Sequence, residues 1–266
     1  MQTHIENSQF ESPDHLLAWA REEIDKFELE STTFIRDDDP YVVVTEFNSE
    51  SGLNELKLKQ TKSPPIALRG HVGNIVKNLR DVLDQTTAIA SRIVTGVESK
   101  NTHFPAGESP ADLERSLSSK KPRIYKDIPV ELHDAIRAIQ PYPTGNGHAG
   151  GNDVLRTLIR VAGPHKHQLS IGLGMSMGGM GLQGRLAMGG ISGSIGDFRW
   201  NSAKAEMILL TFAPGADSQV NIELTSHIAF DKGPLSGIPT LQFLDKAAGE
   251  VSIACWKIKA AINHLR

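Results

Sequence analysis

The chain has 266 residues, of which 39% are hydrophobic and 22% charged, and its formal net charge is −3. These values are typical of a globular protein and exclude a chain that is too polar to collapse. The small negative charge excludes a whole-molecule attraction to the phosphate backbone of a nucleic acid.

Cys255 is the only cysteine, so no intramolecular disulfide can form, which is typical of a reducing compartment. The first ten residues lack the pattern of a signal peptide, and no segment reaches the roughly 20 apolar residues of a membrane helix. We therefore expect a cytoplasmic protein without membrane contact.

The amino-terminal part of the chain predicts a helix followed by a hairpin. Ser12-Pro13-Asp14 is a helix-start signal, and apolar residues then recur at helical spacing over 13–30. After an acidic turn at 37–40, residues 41–47 and 55–60 predict two strands joined by a short turn.

Residues 66–93 predict the longest helix of the chain. Its apolar positions share one broad face, which predicts packing against a core. A polar stripe follows another face at spacings of three and four residues, and its members are Asn74, Lys77, Asn78, Asp81, Asp84 and Gln85. This stripe is either a solvated surface or the wall of a polar site.

The middle of the chain predicts further helices. A capping box starts a short helix at Ser109, and residues 127–139 predict another. A loop rich in glycine and asparagine, 144–152, leads into a helix over 152–163 that Gly163-Pro164 ends. The basic stretch 120–126 is interpreted as an exposed loop rather than a phosphate-binding patch.

The carboxyl-terminal part changes to the two-residue period of strands. Large and small residues alternate from Leu169 to Gly178, and the glycine-rich run continues to about Gly196. Residues 206–211 and 220–230 predict further strands, and 241–265 predict a closing amphipathic helix with Cys255 on its apolar face.

These elements predict an α+β fold, in which a helical layer packs on a mostly antiparallel sheet from the carboxyl-terminal half. At this length a single domain over 1–266 is the expectation, and two domains are the alternative. We divide the single domain into an amino-terminal helix and hairpin (1–65), a helical core (66–168) and a segment of glycine-rich strands, sheet and closing helix (169–266).

The richest cluster of chemically active residues is Arg160, His165, Lys166 and His167. If a strand starts near His165, both histidines point inward and need polar partners, which Asn78, Asp81 and Asp84 could supply. Three interpretations follow: a structural polar lock, a metal site with water as fourth ligand, or general acid–base chemistry. No second pair of closely spaced ligands supports a metal, so we expect neither a metal nor a cofactor.

The spacing from Arg160 to His165 and to His167 resembles the Arg-to-His signature of HEPN (higher-eukaryote and prokaryote nucleotide-binding) domains, which are helical. That resemblance implies metal-independent RNA cleavage, with His165 or His167 transferring protons and Arg160 stabilising phosphate charge. Gly163-Pro164 interrupts the helix inside the motif, which departs from those domains.

A broader resemblance covers roughly residues 70–170. The segment from Gly73 to Asp84 resembles the G-[DE]-x-x-H-N-L-R-x-x-L-D helix of an uncharacterised bacterial and phage protein family. That family also has FP, QPY and DKHR motifs, which here correspond to Phe104-Pro105, Gln140-Pro141-Tyr142 and Pro164-His165-Lys166-His167-Gln168 in the same order. The departures are Asn74 for an acid, Lys77 for a histidine and the altered first position of the DKHR string.

The sequence thus leads to two hypotheses. In the first, the chain is a HEPN-like, metal-independent ribonuclease or a degenerate relative that contacts RNA through a local site. Its catalytic residues are then His165, His167 and Arg160, and its binding residues are Asn78, Arg80, Asp84 and Lys166. In the second, the chain is a non-enzymatic binding or scaffold protein in which the same polar cluster is a structural lock. The sequence indicates no oligomeric state.

Overall fold

The computed structural model describes residues 9–98, 102–118, 128–145, 147–163, 171–187, 194–195, 201, 203–215, 217–231 and 233–265. The helices are α1 (Glu11–Asp37), α2 (Ile66–Thr95), α3 (Pro110–Ser118), α4 (His133–Ile139, preceded by a 3₁₀ turn at Val130–Leu132), α5 (Asp153–Ala162) and α6 (Thr240–His264). The strands are β1 (Tyr41–Asn48), β2 (Leu53–Gln60), β3 (Leu173–Ala187), β4 (Ser194–Ile195), β5 (Glu206–Phe212) and β6 (Asp217–Phe230). The fold is α+β with antiparallel sheets, as the sequence predicts.

Helix α1 is longer than its sequence predicts, because it continues to Asp37 instead of ending near residue 30. Polar and β-branched residues after Phe27 weaken the local helix preference. Ser31 and Phe34 nevertheless continue the buried side of the helix beyond Phe27. Tertiary burial therefore extends the helix past the point where local propensity falls.

The chain divides into two compact units, each built from separate segments. The first comprises Met1–Phe27, Gly70–Ser170 and Gln242–Arg266, and the second comprises Glu28–Arg69 and Ile171–Leu241. The boundaries at 69/70 and 170/171 lie close to the segment limits at 65 and 168 that the sequence suggests, and the other two boundaries fall inside α1, after Phe27, and inside α6, after Leu241.

In the first unit, helices α1, α2 and α6 are connected in pairs. The His71 imidazole on α2 contacts the Glu23 carboxylate on α1 at 2.7 Å, and Lys259 on α6 binds Asp14 on α1 at 2.6 Å. The unit buries Phe104 and apolar residues from all its helices, among them Ala20, Ile24, Phe27, Val72, Ile75, Val76, Leu79, Val82, Leu83, Leu113, Ile136, Leu155, Leu158, Leu244, Ala247, Val251, Ala254 and Ile258.

Cys255 on α6 is buried, as its position on the apolar face predicts. Its Sγ lies 3.3 Å from the Thr86 hydroxyl of α2. Burial raises the pKa of the thiol to about 11, so the thiolate that nucleophilic chemistry requires is disfavoured. The residue packs helices together.

In the second unit, four antiparallel strands form a sheet in the order β1-β2-β5-β4. The expectation that the sheet comes from the carboxyl-terminal half is wrong, since β2 from the first hairpin pairs directly with β5. Leu56, Leu210 and Phe212 form a buried cluster on one face of this pairing. Pairing between β2 and β5 is a long-range contact that the local patterns do not encode.

Strands β3 and β6 form a separate two-stranded antiparallel ribbon in the second unit. Its register shifts by one residue between Met177 and Gly179. Before the shift odd-numbered residues of β3 pair with even-numbered residues of β6, as Met175 does with Ile228, and after it even-numbered residues do so, as Met180 does with Leu224.

The other face of the β1-β2-β5 pairing carries an ion network. The Lys57 ammonium lies 2.9 Å from Glu55, 3.3 Å from Glu46 and 3.5 Å from Glu206, and Lys59 binds Glu46 as well. Glu55, Lys57 and Glu206 are buried in spite of their charge. Burial of these charges is tolerable only because each has opposite charges beside it.

This network predicts acid sensitivity. The Asn48 amide and the Lys57 ammonium lower the pKa of Glu55 in the folded chain. A carboxyl group whose pKa is lower when folded stabilises the fold above its unfolded pKa, which is about 4.3, and loses that effect as the pH falls through the folded pKa. We expect the melting temperature to fall between pH 5 and pH 3, as measured by circular dichroism.

A Glu55→Gln variant keeps an acceptor for Asn48 but cannot titrate. It should be less stable than the wild type at pH 7, and the difference should shrink as the pH falls. Glu50→Gln, at an exposed position in the β1–β2 turn, is the matched control and should follow the wild-type curve. If the melting temperatures of the wild type and of Glu55→Gln depended equally on pH, Glu55 would not be a source of the acid sensitivity.

Candidate functional site

Three of the predicted site residues, His165, Lys166 and His167, lie outside the residues that the structure describes. Arg160 lies in the last turn of α5, and its side chain is exposed. Helix α5 ends at Ala162, and the Gly163 amide donates to the Ile159 carbonyl. The helix that carries Arg160 therefore ends before His165, as the Gly-Pro pair predicts.

The polar stripe of α2 does not form one continuous surface. At about 100° per residue, Asn78 and Asp84 point roughly 120° apart around the helix axis. Asn78 is buried, Lys77 and Asp81 form an outward ion pair at 2.6 Å, and Gln85 accepts a hydrogen bond from Ser12 at 3.0 Å. The stripe thus supplies several separate contacts rather than the wall of a single site.

Arg80 and Asp84 instead bind the backbone of Phe104, a buried residue in the segment after α2. The Arg80 guanidinium binds the Asp84 carboxylate with two contacts, at 2.8 and 3.1 Å. The Phe104 amide donates to Asp84 Oδ1 at 2.8 Å, and its carbonyl accepts from Arg80 Nη2 at 3.1 Å. We call Arg80, Asp84 and the Phe104 backbone the Phe104 clamp.

The clamp satisfies both backbone polar groups of a residue that has no solvent exposure. An unpaired buried backbone group costs about 1–3 kcal/mol, so both groups need partners inside the protein. Paired contacts between arginine and carboxylate are also among the strongest hydrogen bonds in proteins. The Phe104 ring can therefore enter the core without losing hydrogen bonds.

His103 joins the clamp from the neighbouring position. Its Nδ1 lies 3.2 Å from Asp84 Oδ2, and its side chain is 37% exposed. The sequence does not predict this contact, because no spacing connects His103 with another histidine. Its position directly before Phe104-Pro105 was the only available signal.

Further contacts lead from the clamp to α5. The Gly107 amide donates to the Pro141 carbonyl at 3.0 Å, and the Asn152 amide donates to the Tyr142 carbonyl at 2.7 Å. The Asn152 side chain accepts from the Leu155 amide at 2.9 Å and caps α5. The segments that correspond to the NLRxxLD, FP and QPY motifs are therefore linked within the first unit.

Gly107 and Gly151 lie where this part of the chain is most tightly packed. A Cβ atom at Gly107 would stand 2.7 Å from the Leu113 amide nitrogen and 2.9 Å from the Ser109 carbonyl oxygen. At Gly151, whose φ is +122°, a Cβ atom would stand 2.6 Å from the Thr144 nitrogen. Both positions require glycine because neighbouring backbone occupies the space.

Among the described residues, no group of three or more histidine, cysteine, aspartate or glutamate side chains could hold a metal ion. Within that same part of the chain, no helix has the length and apolar character needed to cross a membrane. Comparisons of this chain with protein-family models, curated proteins and solved structures find no match.

Two aspartates of α2 each accept a hydrogen bond from a basic residue four positions earlier, Asp84 from Arg80 and Asp81 from Lys77. Asp84→Ala should lower the free energy of unfolding by about 2–4 kcal/mol, because it leaves the buried Phe104 amide and Arg80 without their acceptor. Asp81→Ala breaks only the exposed pair with Lys77 and should cost less than about 1 kcal/mol. Urea denaturation measures both, and equal losses would contradict the clamp.

The second prediction compares two Gly→Ala substitutions. Gly107→Ala should lower the melting temperature, because the Leu113 backbone has to move to admit the methyl group. Gly73→Ala on α2 meets nothing within 4 Å and should raise the free energy of unfolding by up to about 1 kcal/mol through helix propensity. If Gly107→Ala and the wild type had the same melting temperature, the close approach of the Leu113 backbone to Gly107 would be contradicted.

Proposed function

We propose that the chain is a non-enzymatic binding or scaffold protein in which Arg80 and Asp84 form a structural lock. The observation that carries this proposal is the Phe104 clamp. Arg80 binds Asp84, and together they bind the two backbone polar groups of Phe104: Asp84 accepts from the N–H group, and Arg80 donates to the C=O group. This proposal is the second of the two hypotheses from the sequence. The polar partners of Asp84 are now His103 and the Phe104 backbone, whereas the sequence hypothesis expected His165 and His167.

The hydrogen bonds and the burial of the Arg80 guanidinium favour this structural role over phosphate binding. Its Nε and Nη2 atoms donate to Asp84 and to the Phe104 carbonyl, and its side chain is 18% exposed. A phosphate clamp requires a guanidinium edge that the ligand can reach. Arg80 Nη1 is buried and has no hydrogen-bond partner among the described residues, so it faces no open surface.

A metal-independent ribonuclease is the second candidate, and the geometry of His103 favours it. Asp84 holds Nδ1 of the ring, so Nε2 is the nitrogen that can exchange a proton with a substrate. In this candidate His103 joins His165, His167 and the exposed Arg160 of the sequence hypothesis. Arg160 then stabilises the charge that develops on a phosphate.

One experiment separates the two functions. The native protein is incubated with mixed-sequence single-stranded RNA in EDTA, beside His103→Gln, Arg160→Ala and His167→Ala variants that are purified in parallel. The lock predicts intact RNA with every protein. It also predicts that Asp84→Ala melts several degrees lower than the native protein, since about 1 kcal/mol corresponds to a few degrees.

The ribonuclease predicts cleavage by the native protein and its loss in His103→Gln, Arg160→Ala and His167→Ala at unchanged melting temperatures. That result would overturn the binding proposal. Cleavage that persists at equal rates in all three variants would point to a contaminating nuclease and would leave the lock supported by the melting data of Asp84→Ala.

A further inference from the structure

The start of α1 and the second half of α2 line a cavity of about 650 Å³ in the first unit. Ser12, Leu16 and Trp19 of the lining follow one another at spacings of four and three residues, so they share one face of α1. Gln85 lines the cavity from α2. Two helices that pack in one unit therefore position its walls.

The indole of Trp19 is the main apolar surface of this cavity. Trp19 is 54% exposed, whereas Ala20, the next residue of α1, is fully buried. Leu16 adds apolar surface one turn before Trp19. An aromatic side chain in a concave surface is a common anchor for ligands, since its apolar area is lost to water on binding. A ligand with one flat apolar face would gain from covering this indole.

Hydrogen-bonding groups of both kinds lie around the indole. The Ser12 hydroxyl donates to Gln85 Oε1 at 3.0 Å, which orients the amide and leaves its Nε2 group as a donor. The Gln9 amide adds a donor and an acceptor, and the Glu11 carboxylate adds acceptors. The lining therefore combines one apolar face with a mixed set of donors and acceptors.

The charges of the lining argue against an ionic ligand. Glu11 and His15 lie 3.9 Å apart, and the described residues that line the cavity include no lysine or arginine. A phosphate would therefore meet a carboxylate and find neither an ammonium nor a guanidinium partner. An organic cation could stack on Trp19 and approach Glu11, but it would leave the amide donors of Gln9 and Gln85 without acceptors.

We propose that this cavity binds a neutral saccharide, with one face of a sugar ring on the Trp19 indole. The C–H groups of a pyranose ring form a flat apolar face, and each hydroxyl group at its edge both donates and accepts hydrogen bonds. Mixed donors and acceptors around one exposed aromatic ring match both features. The inference goes beyond the proposed function, and its site shares no residue with the Phe104 clamp, so either can fail without the other.

Nuclear magnetic resonance of the full chain tests the binding with maltohexaose, cellohexaose and chitohexaose as probes. The chain has three tryptophans, so a proton–nitrogen correlation spectrum should contain three indole N–H signals. The Trp19→Phe variant identifies the Trp19 signal by its absence. We expect one or more of the oligosaccharides to shift that signal, with a dissociation constant on the order of 1 mM or lower.

Substitutions in the lining separate the apolar contribution from the polar one, with affinities measured from backbone amide shifts. Trp19→Ala should raise the dissociation constant on the order of tenfold, because the stacking surface is lost. Trp19→Phe keeps an aromatic face and should retain most of the affinity. Gln85→Leu removes the amide at similar size and should raise the dissociation constant on the order of fivefold. Melting temperatures should remain near the wild-type value.

Trp256→Ala is the matched control, because Trp256 is 66% exposed on α6 and does not line this cavity. It should leave the affinity unchanged. The absence of any shift with all of the oligosaccharides at millimolar concentration would overturn the proposal, and so would equal affinities of Trp19→Ala and the wild type. Binding of choline or adenosine at Trp19 without binding of an oligosaccharide would assign the cavity to a cation or a nucleoside and would also overturn it.

Discussion

The hydrogen-bonding requirement of a buried backbone explains the best-defined polar site of this protein. Phe104 lies in the core of the first unit and outside the described helices and strands, so its N–H and C=O groups belong to no helical or sheet hydrogen-bond pattern. Asp84 accepts the N–H and Arg80 binds the C=O, while the two side chains bind each other. The segment after α2 is thereby held against that helix, and the contacts from Gly107 onward position α5.

The second unit also buries polar groups that need partners, but these groups are charged side chains rather than backbone groups. Residues Glu55, Lys57 and Glu206 lie on one face of the paired strands β2 and β5, where each charge has opposite charges beside it. The same network neutralises Glu46 at the edge of the sheet. Burial of charged side chains in this sheet therefore depends on their mutual pairing.

The local patterns predicted most elements but not their long-range partners. The start of α2 at Ile66 and the end of α5 at Ala162 agree with the sequence, because proline and glycine act within a few residues. The pairing of β2 with β5 was missed, since a single sequence contains no signal for which strands become neighbours. Helix α1 was predicted too short because burial of Phe34, rather than propensity, determines its length.

The same division applies to the candidate site. The sequence by itself determined the α+β class, the amphipathic α2 and the set of polar residues on that helix, because helical and strand periodicities are local properties of the chain. Only the tertiary structure decided that Asp84 turns to His103 and Phe104, that Asn78 points elsewhere, and that Gly107 has no room for a side chain. The physical reason is that hydrogen-bond partners and close backbone approaches form between segments distant in sequence, where loop lengths and core packing set the geometry.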